Sequence, residues 1–542
     1  MYPYLLSIFS GLVLAASFPS TDWNCLAWAG LIPFFIAVEG RGWRETFRIG
    51  YVGGVAFYWS LLYWLNNVTV AGFLVLTLYL AVYLPLFGIL MNLARRRVPA
   101  PWWLVAPVVW TALEYGRTYA FTGLPWGVMG ATQHRAIPLI QFASITGVYG
   151  VSFLVVLVNA ALYECAARRG MGRAVPAVGA ALAVADALVY SEWWIRDGAA
   201  LDGSVRVAIV QGNVPQEEKF GEGFTREIIG KFHRLTRQVK AAKPDLVVLP
   251  ETSVPGYYWY DPLVRGTTAE LQQEMRTPLL LGSVHVSDLD NPKYYNCVFL
   301  VDAGGEPLGR YDKIHLVLFG EIIPCKTIFP FLKYVVPFEE DFTPGSEFTV
   351  FPLAQGDFAA LICFEDVLPD LARNFVKRGA RFLVNVTNDA WFGRTSQPYQ
   401  QAAHAVFRCV ENCVSMVRAT NTGVSCYIDP FGRVYGVLRN AAGEELYVEG
   451  TAVRDVRLTH TSTFYTRHGN VFAVGCVALT VLLFSGALFT RRGRTTNFGT
   501  ALPRRTRRTR RKERGTPGMG ADEGRSPRGI MRRQRRVPCS TN

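Results

Sequence analysis

Eight apolar stretches, at about 2–18, 24–38, 49–66, 69–93, 102–116, 145–167, 174–195 and 470–490, constrain this chain more than any other feature. A helix needs roughly 20 apolar residues to cross the hydrocarbon core of a bilayer, and most of these stretches reach or approach that length. The fifth is short, and the seventh contains Asp186. The first lacks a basic leading region and is followed by further spans, which separates it from a cleaved signal peptide. The arginines test the count. Arg41, Arg44 and Arg48 follow stretch two, Arg95 to Arg97 follow stretch four, and Arg168, Arg169 and Arg173 follow stretch six. The tail that begins Arg491-Arg492 follows stretch eight. The links after stretches one and three carry no Lys or Arg, and only Arg117 and Arg135 lie after the fifth. Basic links thus alternate with neutral ones, as the preference of Lys and Arg for the cytoplasmic side requires. A miscount by one span would break that parity. The expectation is a polytopic helical membrane domain of about eight spans, with the N-terminus and tail cytoplasmic and residues 196–469 outside.

Aromatic residues point the same way. Of the 13 Trp, 11 lie at or before Trp194, several at stretch ends, where amphipathic rings favour the interface. The net charge of +14 belongs to the tail. Residues 491–542 hold 17 basic and 3 acidic groups, and the preceding 490 residues are neutral. The basic balance therefore says nothing about the substrate of the folded part. The tail is too polar to fold alone, and its position just inside a span favours a solvated or lipid-contacting role over nucleic acid. The ten cysteines form no CxxC pair, and no His cluster has zinc spacing, so neither a metal nor a cofactor is expected.

From about residue 204 the pattern changes. "VRVAIVQGN", "DLVVLPE", "LLLGSVH", "YNCVFLVD", "FAALICFED", "RFLVNVTND" and "VSCYIDPFG" read as strands, with helical patterns at 224–242 and 397–417 between them. Alternating apolar strands and helices argue for an α/β layered domain. Gln211, Glu251, Cys363 and Asn388 end strands, and active sites of α/β sheets gather at such edges.

Three of these residues carry chemistry. Glu251 ends "VVLPE", Lys313 lies in "GRYDKIHLVLFGE", and Cys363 ends "AALIC". A thiol needs a base to become a nucleophile, a carboxylate can serve, and an ammonium can stabilise an oxyanion. Each residue has a plainer reading: a packed thiol, a strand-end carboxylate, a surface lysine. Spacing alone does not bring the three together. A Cys/His pair using His315 is a weaker alternative.

In this order the three segments resemble the Glu-Lys-Cys triad of the nitrilase superfamily. "WTALEYGRTYAFTGLPWGVMG" (110–130), "VQGNVPQ" (210–216), "LPETSVPGY" (249–257), "YDKIHLVLFGEIIP" (311–324), "CFED" (363–366), "NVTNDAWFG" (385–393), "RATNTGVS" (418–425) and "TFYTRHGN" (463–470) resemble the apolipoprotein N-acyltransferases. The resemblance covers roughly residues 1–490. It implies a membrane domain over 1–195, an α-β-β-α sandwich over 196–469 on the periplasmic side, a last span over 470–490 and a disordered tail over 491–542. It implies acyl transfer from a membrane phospholipid, through a thioester on Cys363, to the N-terminal amine of a diacylglyceryl apolipoprotein. Glu251 would be the general base. Lys313 and the Phe364 N–H would stabilise the oxyanion, with Glu321 and Glu365 in support. Trp391, Phe392 and Phe220 would contact lipid. A monomer in the inner membrane, with no nucleic-acid partner, is expected. Two positions depart from the family pattern: Phe364 stands where Tyr is common, and Phe220 where Trp is common. The competing readings are a membrane-tethered carbon–nitrogen hydrolase with water as acceptor, and a transporter with an inert nitrilase-like domain.

Overall fold

Residues up to Gly198 form helices because apolar side chains run unbroken there while polar groups concentrate in the links. In the computed structural model, which describes residues 1–120, 123–168, 170–219, 224–287, 292–318, 320–322 and 341–489, these are α1 (Tyr2–Ala16), α2 (Ile32–Val38), α3 (Trp43–Leu61), α4 (Val70–Leu80), α5 (Tyr83–Arg97) and α6 (Trp102–Tyr119). The short α7 (Ile137–Ile140) and α8 (Ala143–Thr146) follow, then α9 (Val148–Ala167) and α10 (Val175–Trp193). Among the described residues, three segments are long and apolar enough to cross a membrane: Val70–Arg97, Val148–Ala167 and Gly172–Gly198. The apolar helices Tyr2–Ala16, Asn24–Val38 and Val471–Gly486 are shorter. α3 is the hub of its neighbours. A Cβ on Gly53 would collide with Ser7 of α1, and one on Gly54 with the Ala81 backbone. Small residues let helix backbones approach closely where lipid offers no hydrophobic drive for association.

The α/β part follows. Its strands are β1 (Leu201–Gln211), β2 (Leu246–Val248), β3 (Leu279–Val286), β4 (Tyr294–Val301), β5 (Pro307–Asp312), β6 (Val350–Phe351), β7 (Phe358–Ile362), β8 (Phe382–Thr387), β9 (Ser415–Thr420), β10 (Cys426–Ile428), β11 (Val434–Tyr435) and β12 (Gly450–Thr459). Its helices are α11 (Gln216–Lys219), α12 (Thr225–Gln238), α13 (Pro262–Met275), α14 (Pro369–Lys377), α15 (Gln397–Asn412) and α16 (Phe464–His468), and α17 (Val471–Phe489) closes the described chain. Among the described residues two six-stranded sheets result, ordered β12-β1-β2-β3-β4-β5 and β11-β10-β9-β8-β7-β6. Each is parallel at its centre and antiparallel at its flanks.

Period-two alternation sorts the first sheet. Val207, Ile209, Val248, Leu280 and Val298 share a core with the second sheet. Their neighbours Ala208, Val210, Leu249, Leu281 and Phe299 pack instead with Ile228 and Phe232 of α12 and Leu271 of α13. Successive strand side chains point to opposite faces, so these runs, apolar on both faces, are buried twice. Tyr427 stitches the sheets, donating to the Val207 and Ala452 carbonyls at 2.9 Å each. The layering is α-β-β-α.

The structure corrects two element boundaries. The helix expected over 397–417 stops at Asn412, because Cys413 turns left-handed (φ +51°) and "SMVRAT" continues as β9. Strand β12, unmarked in the sequence reading, pairs along β1 and closes the first sheet. Phe220 and the tail expected over 491–542 lie outside the described residues.

Candidate active site

The apolar run of β7 ends at Cys363, whose φ of +53° makes the chain turn sharply into a short 3₁₀ segment. Pro369 then opens α14. A left-handed L-residue is unfavourable by about 1–2 kcal/mol, so something must hold it. Two side-chain amides grip the Cys363 carbonyl: Asn385 Nδ2 at 3.0 Å and Gln401 Nε2 at 2.9 Å. Glu365, fully buried, fastens both sides of the turn. It accepts from the Ile362 N–H (2.8 Å), the Ile314 N–H (2.9 Å), the His315 N–H (3.0 Å) and the Tyr311 hydroxyl (2.9 Å). It thereby ties the segment after β5, which carries Lys313, to the segment that carries the thiol.

Glu251 follows β2 and Pro250. Gly282 on β3 makes room for it, since a Cβ there would sit 2.8 Å from the Glu251 Cα. Its Oε1 accepts from Asn296 Nδ2 (2.7 Å) and its Oε2 from the Asn388 N–H (3.0 Å). Lys313 is buried at the end of β5, its N–H on the Asn296 carbonyl at 2.8 Å. Its ammonium contacts Glu321 Oε2 at 2.8 Å and lies 3.8 Å from Glu251 Oε1. Asn296 Nδ2 also donates to Glu321 at 2.7 Å, so Lys313 and Asn296 bridge the two carboxylates.

Burial and then the Glu251 charge push the Cys363 thiol up, against the opposing pull of Lys313. A resting thiol held neutral needs a general base during attack. Burial pulls the Lys313 ammonium down, but Glu321 and Glu251 outweigh it and hold the group above the ordinary lysine value. That cation stays charged. Burial raises Glu365 to about 7, opposed by the His315 and Ile362 N–H groups.

Phe364 stacks on Trp126 of the helical part (centroids 6.0 Å apart, 12° between planes) and on His315 (6.0 Å, 23°). The residue beside the thiol is thus clamped between the two parts of the chain, and the His315 ring is engaged there. Trp126 Nε1 donates to Gln400 Oε1 at 2.6 Å, and Trp64 Nε1 to the same oxygen at 3.1 Å. Gln400 Nε2 donates onward to the Pro19 and Leu61 carbonyls at 3.0 and 3.1 Å. Phe392 meets Trp64 edge-on at 5.1 Å, and its carbonyl accepts from Asn67 Nδ2 at 2.7 Å. Trp391 is 43% exposed at the same seam.

Sequence reasoning missed several residues. Asn385 lies in the quoted "NVTNDAWFG" motif and Asn388 was placed at a strand edge where sites gather, but neither carried an assigned role. Asn296, Gln400 and Gln401 had no signal beyond polarity in apolar surroundings. Lys219, next to the undescribed Phe220, is buried with its Nζ on the Glu251 carbonyl at 2.9 Å. Burial lowers it to about 7, opposed by Glu251.

Residues 10–161 match the family described as apolipoprotein N-acyltransferase N-terminal domain, and residues 206–460 match carbon-nitrogen hydrolase. The apolipoprotein N-acyltransferase of Geobacter metallireducens is 38% identical over 497 residues, 88% of this chain and 93% of that protein. The chain belongs to the apolipoprotein N-acyltransferase family. The apolipoprotein N-acyltransferase of Chlorobaculum tepidum is 29% identical over 520 residues, 89% of this chain and 96% of its own. Among solved structures, Saccharomyces cerevisiae Nit3, a member of branch 10 of the nitrilase superfamily, aligns with 47% of this chain and 91% of its own at 18% identity and a TM-score of 0.37. The first match ends at residue 161, inside α9, and the second begins at 206, inside β1, so α10 lies in the interval between them.

Proposed function

We propose that this protein is an apolipoprotein N-acyltransferase, moving an acyl chain from a membrane phospholipid through a Cys363 thioester to the α-amine of a diacylglyceryl-cysteine apolipoprotein. The observation that carries the reading is the clamp at Phe364. The residue adjoining the nucleophile stacks on Trp126 of the helical part, which supports access of a membrane-anchored ester to the thiol. A soluble amidase reading gives that contact no purpose.

The first step forms the thioester. Glu251 takes the Cys363 proton as sulfur attacks the ester carbonyl. The oxyanion faces the Lys313 ammonium and the Phe364 N–H. Collapse expels the lysophospholipid alkoxide, which takes the proton from Glu251. In the second step a neutral amine attacks the thioester, Glu251 takes its proton, and the departing sulfur recovers it. Splitting the transfer this way replaces one difficult displacement with two easier ones. Preorganised donors at an oxyanion are each worth about 10²–10³ in rate. Trp391, Phe392 and Phe220 supply apolar contact for the acyl chains.

The arginine parity supports eight spans, with residues 196–469 outside the cytoplasm and residues 1–195, 470–490 and 491–542 as membrane domain, last span and cytoplasmic tail. The active unit is a monomer in the inner membrane. Mass spectrometry of Cys363 after incubation with labelled phospholipid tests the mechanism. One acyl chain on Cys363, discharged by a diacylglyceryl lipopeptide, is expected. An unmodified thiol in an active preparation overturns it.

A further inference from the structure

The link after β1 carries a buried amine that the mechanism above does not use. Lys219 is 2% exposed, and its Nζ donates to the main-chain carbonyl of Glu251 at 2.9 Å. Taking such a group out of water is unfavourable unless a partner compensates, and an apolar side chain would fill the place more favourably. The partner here is a carbonyl, and it belongs to the general base. Lys313 supplies the cation that acts on the Cys363 thiol. Lys219 meets the backbone of the base instead.

That backbone needs holding. Thr252, the next residue, is left-handed (φ +49°), a conformation that L side chains rarely adopt. The peptide that leads into it is the one whose oxygen Lys219 grips. The nucleophile is mounted in a similar way: Cys363 is left-handed, and Asn385 and Gln401 hold its carbonyl.

The same link reaches the other end of Glu251. Gln216 Oε1 accepts from Asn388 Nδ2 at 2.7 Å, and the Asn388 N–H holds Glu251 Oε2 at 3.0 Å. Asn421, fully buried, fastens this assembly. Its Nδ2 donates to Asn388 Oδ1 at 3.0 Å and to the Val214 carbonyl at 2.7 Å, and its Oδ1 accepts from the Val214 N–H at 3.0 Å. Residues 214–219 thus hold the base by its backbone and, through Asn388, by its carboxylate.

We propose that Lys219 is a positioning residue of the general base, and that with Gln216 it fixes the Glu251 carboxylate for proton transfer in both half-reactions. This inference rests on the thioester reading above. A general base works only within hydrogen-bond reach of the proton it takes, so a carboxylate that drifts loses proton transfer first. The oxyanion donors, Lys313 and the Phe364 N–H, lie on other segments and are left in place.

Two nucleophiles separate these functions on one thioester. An amine gives a proton to Glu251 as its nitrogen bonds to the acyl carbon, and that proton passes to Cys363 Sγ as the C–S bond breaks. A thiolate has no proton to give. Its sulfur bonds to the acyl carbon, Cys363 Sγ leaves with the electron pair, and the thiol is restored by a proton from solvent.

The test uses full-length enzyme in detergent, acylated at Cys363 with labelled phospholipid, then mixed with diacylglyceryl lipopeptide or with thiophenol, which is largely ionised near neutrality. Lys219→Met keeps the side-chain length and removes the donor. Its discharge by lipopeptide is expected to fall about 10- to 100-fold, the range carried by a hydrogen bond from a charged group, while discharge by thiophenolate keeps the wild-type rate. Thioester formation slows with the lipopeptide step, since Glu251 also takes the thiol proton, and a longer incubation loads the variant. Should Lys219→Met fail to fold, Gln216→Leu decides. It removes the acceptor of Asn388 from the same link and is expected to show the same split. Equal losses with both nucleophiles indicate general support of the fold and overturn the proposal, as does an unchanged lipopeptide rate. If wild-type Cys363 never acylates, the thioester reading falls and this inference with it.

Discussion

Glu365 touches no reacting atom in the proposed mechanism, yet Glu365→Gln is expected to slow the first step severely. Glu365 Oε1 accepts from the Ile314 and His315 N–H groups, Oε2 accepts from the Ile362 N–H, and the Tyr311 hydroxyl lies 2.9 and 3.0 Å from the two oxygens. A glutamine can keep its oxygen at the first position only. Its NH₂ then faces the Ile362 N–H, donor against donor, in a fully buried place. An unpaired buried donor is unfavourable by about 1–3 kcal/mol. The left-handed turn at Cys363 is itself unfavourable by about 1–2 kcal/mol. The lost restraint therefore matches the strain it opposes, and the turn relaxes in much of the population. Since about 1.4 kcal/mol is tenfold in an equilibrium, thioester formation should fall about 10- to 100-fold. The dependence on phospholipid concentration should stay as it is, because no substrate contact is lost. Single-turnover acylation followed by intact-protein mass spectrometry reads both quantities, with a melting curve to confirm folding. A folded Glu365→Gln enzyme that acylates at the wild-type rate refutes the argument that this carboxylate holds the nucleophile's turn.

Four further outcomes are expected. Lys313→Ala removes the cation that lowers the Cys363 thiol, so the pH at which alkylation by iodoacetamide accelerates moves upward; a downward or absent shift contradicts the assigned field. Trp126→Ala deletes a buried ring and strips Gln400 Oε1 of one donor, and a loss of about 3–5 kcal/mol should show in thermal unfolding together with lost transfer; a neutral effect sinks the clamp. Lys219 is about 7 when folded against 10.5 unfolded. The unfolded chain binds the extra proton between those values, so this group's contribution makes stability rise with pH across that window. In Lys219→Met that part of the slope should vanish from melting curves. Reporter fusions after residues 97 and 173 should read cytoplasmic, and a fusion within 196–469 external; any reversal breaks the arginine parity.

Much of the site was legible because its parts are local. An apolar strand that ends in a thiol, a strand that ends in Pro-Glu, and a lysine in "YDKIH" are each complete within a few residues, and the family motifs preserve their order. The supporting groups were not. Asn296 serves Glu251 from 45 positions away, and Gln401 reaches the Cys363 carbonyl across 38. An amide side chain has no periodic signature, and its worth depends on what faces it. The end of α15 was misread for a related reason. The apolar pattern through Val414 to Val417 suits helix or strand, and the left-handed Cys413 with the parallel partner β8 settles it.

Phe364 marks the boundary between the two kinds of knowledge. Helices of membrane character, a basic tail holding all the net charge, an α/β layered part and three candidate groups in a fixed order are all readable from the residues alone. Those follow from composition and from periods of 2.0 and 3.6 residues, which are properties of the chain alone. It took the folded arrangement to place Phe364 between Trp126 and His315 and to join Glu251 to Glu321 through Lys313 and Asn296. Contact, burial and field depend on which distant segments meet, and chain folding sets those meetings.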